Sequence, residues 1–314
     1  MATDPQAILL LGPTASGKTA LALRLAAEIP SEIVSIDSAL VYRHMDIGTA
    51  KPTKEELAAV PHHLIDIIEP TESYSAADFA EDCVRLVGEI RSRGRVPLIV
   101  GGTMLYAKAV KEGLSPLPST DPAVREKIGA ELSEKGLPEL YERLKSVDPK
   151  TADRLAPADK QRITRALEVF EMTGKPISEF TAQKGEPLLN LSSYALLPPD
   201  RAVLHAKIAE RFNLMIKNGF LDEVKKLMEM PGMHADLPSM RSVGYRQAWN
   251  YLSGLTPFEV FKEAGIAATR QLAKRQMTWM RSMRDTVLLN PDEKDVSLTV
   301  LKKEAEQILS GLNT

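Results

Sequence analysis

The chain has 314 residues, 44% of them hydrophobic and 26% charged, with a formal net charge of -2 and a single cysteine. Such a length suggests about two domains with ample material for a core, and no apolar run approaches the roughly 18 residues of a membrane span. Lone Cys83 excludes an intramolecular disulfide, argues against a cysteine-based zinc site and fits a reducing compartment; with a first strand inside the first ten residues and no signal-like segment before it, a cytoplasmic location is expected. A monomer is the expected state, although no motif in the sequence sets it.

The apolar run at 7–11 reads as a buried strand, and "GPTASGKT" follows it directly. Gly12, four further residues and then Gly17-Lys18-Thr19 match a phosphate-binding loop lying between a strand and the helical pattern at 20–29. Its backbone N–H groups and the helix N-terminus suit an anionic phosphate, Lys18 adds a mobile cation, and the Thr19 hydroxyl is a candidate ligand for Mg2+. The loop does not reveal what is attached to the phosphates.

A second strand at 33–36 ends in Asp37, at the edge where open α/β sheets bind ligands. Asp37 is a candidate metal ligand or general base, and a helix cap is the plainer role. His62-His63 has no third ligand at a motif spacing and reads as structural. Cys83 falls in a helix around 79–90 as a small buried residue. The next strand, at 96–100, ends in Gly101-Gly102-Thr103, where a nucleotide hydrolase would often carry the acid that holds Mg2+. No Asn-Lys-x-Asp guanine signature is present either. Both absences count against GTPase and motor readings.

After Gly113, "GLSPLPSTDP" changes the texture, and helical patterns run to about 180 before "YALLPPD" at 194 reads as a returning strand. The alternation implies an α/β fold with a parallel sheet, with core 1–114 and 191–314 and a helical insertion at 115–190. Residues 241–284 hold eight Lys/Arg against two Glu. On a helix over 256–284, Arg270, Lys274, Arg281 and Arg284 share one face, with Leu272, Trp279, Met280 and Met283 on the other side. A cationic face without interleaved acids suits a phosphate-rich polymer. Residue chemistry alone reaches a Mg-dependent phosphate-ester enzyme with a nucleic-acid partner; a small-molecule or nucleoside kinase and an RNA-binding nucleotide switch stay open.

"GPTASGKT", "DSALVYRHMDIGTAKP", "YSAADF", "VGGTMLY", "RALEVFEMTGKP", "VGYRQ" and "ATRQLAKRQMTWMR", in that order over roughly residues 8 to 290, resemble the bacterial tRNA dimethylallyltransferase family. The resemblance implies a P-loop NTPase-like parallel sheet core with an inserted helical domain. It also implies transfer of a dimethylallyl group from dimethylallyl diphosphate to N6 of adenosine 37 in the tRNA anticodon loop. Gly12, Pro13, Thr14, Ala15, Ser16, Gly17, Lys18 and Thr19 would then hold the diphosphate, with Mg2+ at Thr19 and Arg211 as a second cation. Asp37 would act as base and Thr103 would position the adenine. For tRNA the family positions fall on Asp37, Ser38, Ala39, Leu40, Thr103, Arg125, Gln161, Arg162 and Arg165. They continue at Arg241, Gly244, Tyr245, Arg246, Lys274, Arg275, Gln276, Thr278, Trp279 and Arg281. ATP is expected to occupy the loop weakly, without turnover.

Overall fold

The computed structural model describes residues 4–183 and 185–312. In chain order the elements begin β1 (Ala7–Leu11), α1 (Lys18–Glu28), β2 (Ser31–Ile36), α2 (Lys54–Ala59), β3 (His62–His63), α3 (Ala76–Ser92), β4 (Val96–Gly101) and α4 (Met104–Glu112). Four helices follow: α5 (Pro122–Val147), α6 (Pro149–Ala152), α7 (Lys160–Thr173) and α8 (Ile177–Thr181). The chain then runs through β5 (Leu191–Leu196), α9 (Arg201–Lys217), α10 (Phe220–Met228), α11 (Tyr245–Leu252), α12 (Phe258–Ser282), β6 (Thr286–Leu289) and α13 (Lys294–Leu312).

The described strands form one sheet in the order β3-β2-β4-β1-β5-β6, parallel at every pairing. Strands β1, β2 and β4 are buried at every residue, as expected where helices cover both faces. Register places Leu11 and Ile36 beside Gly101, so the chains leaving β1, β2 and β4 emerge together at one edge. On one face of the sheet Leu21, Ala22 and Leu25 of α1 pack with Leu298, Leu301 and Ala305 of α13. A second core gathers Val41, Tyr42 and Met45 with Phe212, Phe220, Tyr245 and Phe261.

The described chain divides into two compact units, one of Met1–Lys111 with Leu188–Thr314 and one of Glu112–Pro187. The second unit is helical around Ile128, Leu140, Leu144, Ile163 and Leu167. Its long helix α5 breaks at Gly136, whose φ of 81° is not helical.

Two strands carried too little pattern to be expected from sequence. β3 is two residues long, and His62 and His63 serve it structurally: His62 Nδ1 lies 2.7 Å from the Val60 carbonyl and His63 Nε2 lies 2.7 Å from the Glu32 carboxylate. Glu32, buried inside β2, also takes two hydrogen bonds from Arg93, which hold its carboxyl below the usual range. β6 is an edge strand whose Val287 and Leu288 are exposed. Cys83 is fully buried in α3.

Candidate active site

The loop leaving β1 wraps Gly12 to Gly17 into a nest. Ala15 (φ 63°) and Gly17 (φ 87°) both take left-handed conformations, and no side chain caps α1 at Gly17. The first N–H groups of α1 are therefore open to a ligand, with the helix dipole behind them. An alanine held in the left-handed region costs about 1–3 kcal/mol, strain of the kind that gathers at binding loops. Gly12 donates its N–H to the Gly101 carbonyl at 3.2 Å, joining this loop to the end of β4.

At the neighbouring strand ends, Thr103 donates its N–H to the Ile36 carbonyl (3.1 Å) while its hydroxyl accepts from Ser38 N–H (3.0 Å). Asp37 accepts from Ala39 N–H at 2.9 Å through one oxygen. Asp37, Thr103 and the phosphate loop thus share one edge, fixed by backbone contacts between successive strand ends. Gly102 is required there by close approach, since a Cβ would lie 2.4 Å from Gln276 Nε2 and 3.0 Å from the Gly12 carbonyl.

Lys18, Asp37 and Arg211 line one cleft with Thr14, Ala15 and Thr49. Desolvation pulls the Lys18 ammonium down to about 8, opposed by the Asp37 carboxylate and reinforced by Arg211. Burial also lowers Arg211, against the pull of Asp37. Two desolvated cations flank one carboxylate, an arrangement that favours the arrival of a compact anion. Part of the cleft wall is apolar, from Ile208, Phe212, Met215 and Leu272, and Ser242, Thr269 and Gln276 add polar groups to it.

The cleft wall at Gly48-Thr49 is held by a residue that sequence reasoning missed. Glu223 in α10 accepts the N–H groups of Asp46 (2.8 Å), Ile47 (2.6 Å) and Gly48 (3.1 Å), and the Tyr245 hydroxyl (2.6 Å). Gly48 has no room for a side chain, since a Cβ would meet the Phe220 ring at 2.2 Å. The Lys51 side chain, 5% exposed, ties the same segment together through the Tyr42 carbonyl at 3.0 Å, Asp46 at 2.6 Å and Asp66.

Of the residues expected to meet tRNA, Ser38, Arg241 and Arg246 are exposed, and Ala39 and Leu40 are half-buried. On α12, Lys274, Arg275, Thr278 and Arg281 are exposed. In the helical unit Gln161 and Arg162 are exposed on α7, and Arg162 is paired with Asp159 at 3.0 Å. Buried Glu168 orients two more cations of that unit, Arg165 at 3.3 Å and Arg125 at 3.6 Å. Arg165 also donates to the Pro118 carbonyl at 2.6 Å.

The structure corrects several expectations. Tyr245 is fully buried, with its hydroxyl committed to Glu223, and Gly244 is buried at the start of α11 with a φ of 92°. Gln276 is 8% exposed and its amide is used inside the protein, so its side chain is not an RNA-facing group. The basic helix runs Phe258–Ser282, shorter than 256–284, which leaves Arg284 beyond it. Arg270 is turned toward α9, 3.5 Å from the His205 carbonyl. Trp279, placed by periodicity with the apolar residues, is 42% exposed and stands beside Gln271, Lys274, Arg275 and Thr278. Met280 is buried as expected, and the buried stripe takes in Phe261, Gly265, Ala273, Gln276 and Met277 as well.

A parallel α/β sheet with a glycine-cornered phosphate loop, and a cleft at its edge that brings Lys18, Asp37 and Arg211 together, defines a P-loop NTPase-like protein. The family model described as IPP transferase matches residues 40–283. The chain is 56% identical over 302 residues to a tRNA dimethylallyltransferase of Burkholderia ambifaria, covering 94% of this chain and 93% of that one. It is similar in structure to the tRNA isopentenylpyrophosphate transferase of Bacillus halodurans (TM-score 0.70, 35% identity, 98% and 97% of the two chains). A eukaryotic dimethylallyltransferase whose crystal structures show it acting on tRNA gives a TM-score of 0.77 at 26% identity, over 96% of this chain and 76% of that one. The chain belongs to the IPP transferase family.

Proposed function

We propose that this chain is a tRNA dimethylallyltransferase that moves the five-carbon group of dimethylallyl diphosphate to N6 of adenosine 37 in the anticodon loop. The observation that carries the reading is the composition of one cleft, which joins the phosphate loop, Lys18 and Arg211 with Asp37 and an apolar stretch of wall. A prenyl diphosphate needs both kinds of surface, and a water-activating acid at the end of β4 is unnecessary when diphosphate is the leaving group.

In the reaction the N6 lone pair attacks the first allylic carbon, the carbon–oxygen bond to diphosphate breaks, and its electron pair departs with the diphosphate. Asp37 takes the proton that nitrogen must lose, since an exocyclic amine is a poor nucleophile until it does. Lys18, Arg211 and the open N–H groups of α1 balance the charge that develops on the leaving group. Thr103, tied to Ser38 and the end of β2, would help position the adenine, the role that the family resemblance implies for it. The target base must leave its stack to reach the cleft, which favours an anticodon loop over duplex.

The donors available fit Mg2+. Thr19 is exposed in the first turn of α1, and no group of three or more His, Cys, Asp or Glu converges among the described residues. A hard cation would be held there by Thr19 together with diphosphate oxygens and water, as Mg2+ commonly is. When bound it would neutralise part of the leaving-group charge.

The exposed cations Lys274, Arg275 and Arg281, with Trp279 beside them for a base to stack on, support an RNA partner. No helix among the described residues is long and apolar enough to cross a membrane. Mass spectrometry of unmodified tRNA incubated with the protein, Mg2+ and dimethylallyl diphosphate tests the reading. Prenylated adenosine at position 37 is the expected product, and its absence with intact, RNA-binding protein overturns the assignment.

A further inference from the structure

Helix α12 carries two kinds of side chain within one turn. Lys274, Arg275 and Thr278 face solvent, while Gln276 between them points inward. The Gln276 carbonyl oxygen accepts the N–H of Thr14, inside the phosphate loop, at 3.1 Å. Its amide nitrogen donates to the Gly102 carbonyl at 2.8 Å, in the turn that presents Thr103. One buried amide therefore pins the diphosphate loop and the Thr103 turn to the helix whose outer face carries the cations. Gly102 has no Cβ because one would meet that amide nitrogen at 2.4 Å.

We propose that Gln276 is a positioning residue that couples RNA binding on α12 to the shape of the diphosphate loop. The inference rests on the transferase reading. An RNA seated on Lys274, Arg275 and Thr278 fixes α12 in place, which fixes Gln276 and with it the Thr14 N–H and the Gly102 turn. The ordering cost of the loop is then met before diphosphate arrives, so each ligand strengthens the other. The bond to the Gly102 carbonyl is buried and the bond from the Thr14 N–H is partly buried, so removing the amide leaves a buried carbonyl without its donor and frees the phosphate loop from α12.

The test uses the full chain with two non-reacting probes, an anticodon stem-loop RNA and inorganic diphosphate with Mg2+. In the wild type, RNA is expected to tighten diphosphate at least about fivefold, the lower end of typical coupling. In Gln276→Met, which keeps the length and loses both hydrogen bonds, the two affinities become independent to within about twofold. Hydrogen exchange on the wild type gives a second readout that needs no variant: RNA alone should slow exchange in the 12–19 peptide as well as in α12. Unchanged coupling in Gln276→Met overturns the proposal, as does protection of α12 without protection of 12–19. If RNA protects neither segment of the wild type, the RNA reading itself fails and the coupling falls with it.

Discussion

The sheet edge and the surface of α12 both collect positive charge, and they hold it in opposite ways. At the edge, Lys18 and Arg211 are desolvated and pulled below their ordinary pKa values. On α12, Lys274, Arg275 and Arg281 stand in water. Desolvated cations around a nest recognise one compact anion, and their charge counts for more as water leaves. Solvated cations along a helix recognise a string of phosphates by counterion release, with affinity that falls steeply with salt. Under the proposed function, the contrast separates a chemical site from a docking site within one chain.

The largest expected effect is at the chemical site. Asp37→Ala should slow single-turnover prenyl transfer by roughly 10²- to 10⁴-fold, the range for a positioned acid or base. Diphosphate binding should change far less, and near-normal transfer would return Asp37 to a turn-forming role through its bond to Ala39 N–H.

The pH profile should separate the two regions next. With Lys18 at about 8, diphosphate affinity should fall above that pH by up to about tenfold per unit, while stem-loop binding stays flat there. Stability of the free protein should move the other way. Between about 8 and the ordinary lysine value of 10.5 the unfolded chain holds a proton that native Lys18 has lost, so this group raises stability as pH rises through that window. A flat diphosphate profile to pH 10 would show that Lys18 stays charged in the cleft.

The smallest effect belongs to the docking surface. Replacing Lys274 and Arg281 by Ala should weaken tRNA binding and make the salt dependence shallower by about 0.7–0.9 in log–log slope for each lost phosphate contact. Diphosphate affinity measured without RNA should be unaffected. An unchanged slope would mean that this face is only hydrated.

Much of the chemical site was legible because it is written locally. A strand, a glycine-cornered turn and a helix specify the loop from Gly12 to Thr19, and strand ends deliver Asp37 and Thr103 to the same edge in any parallel sheet. What stayed hidden are side chains that reach across the sequence. Glu223 clamps Asp46 to Gly48 from about 175 residues away, yet in α10 it looks like any first-turn acid on an amphipathic helix. Gln276 meets Thr14 across 262 residues, and nothing in "KRQMTWMR" distinguishes an inward amide from an outward one. Trp279 departs from its expected side for a related reason: the buried stripe of α12 runs through Phe261, Gly265, Ala273, Gln276, Met277 and Met280, so the largest apolar residue of the helix is not its core anchor.

Under the proposed function the phosphate loop holds a prenyl diphosphate for transfer to RNA and does not drive triphosphate chemistry. The measurement that tests this most directly follows tRNA prenylation from dimethylallyl diphosphate and ATP consumption in parallel, under matched conditions, for the wild type and Lys18→Ala. Prenylation that depends on Lys18, with no ATP turnover above background, is the expected result, whatever weak occupancy of the loop ATP achieves. ATP turnover that depends on Lys18, with no prenylated tRNA, would contradict it and make the protein a kinase or nucleotidase.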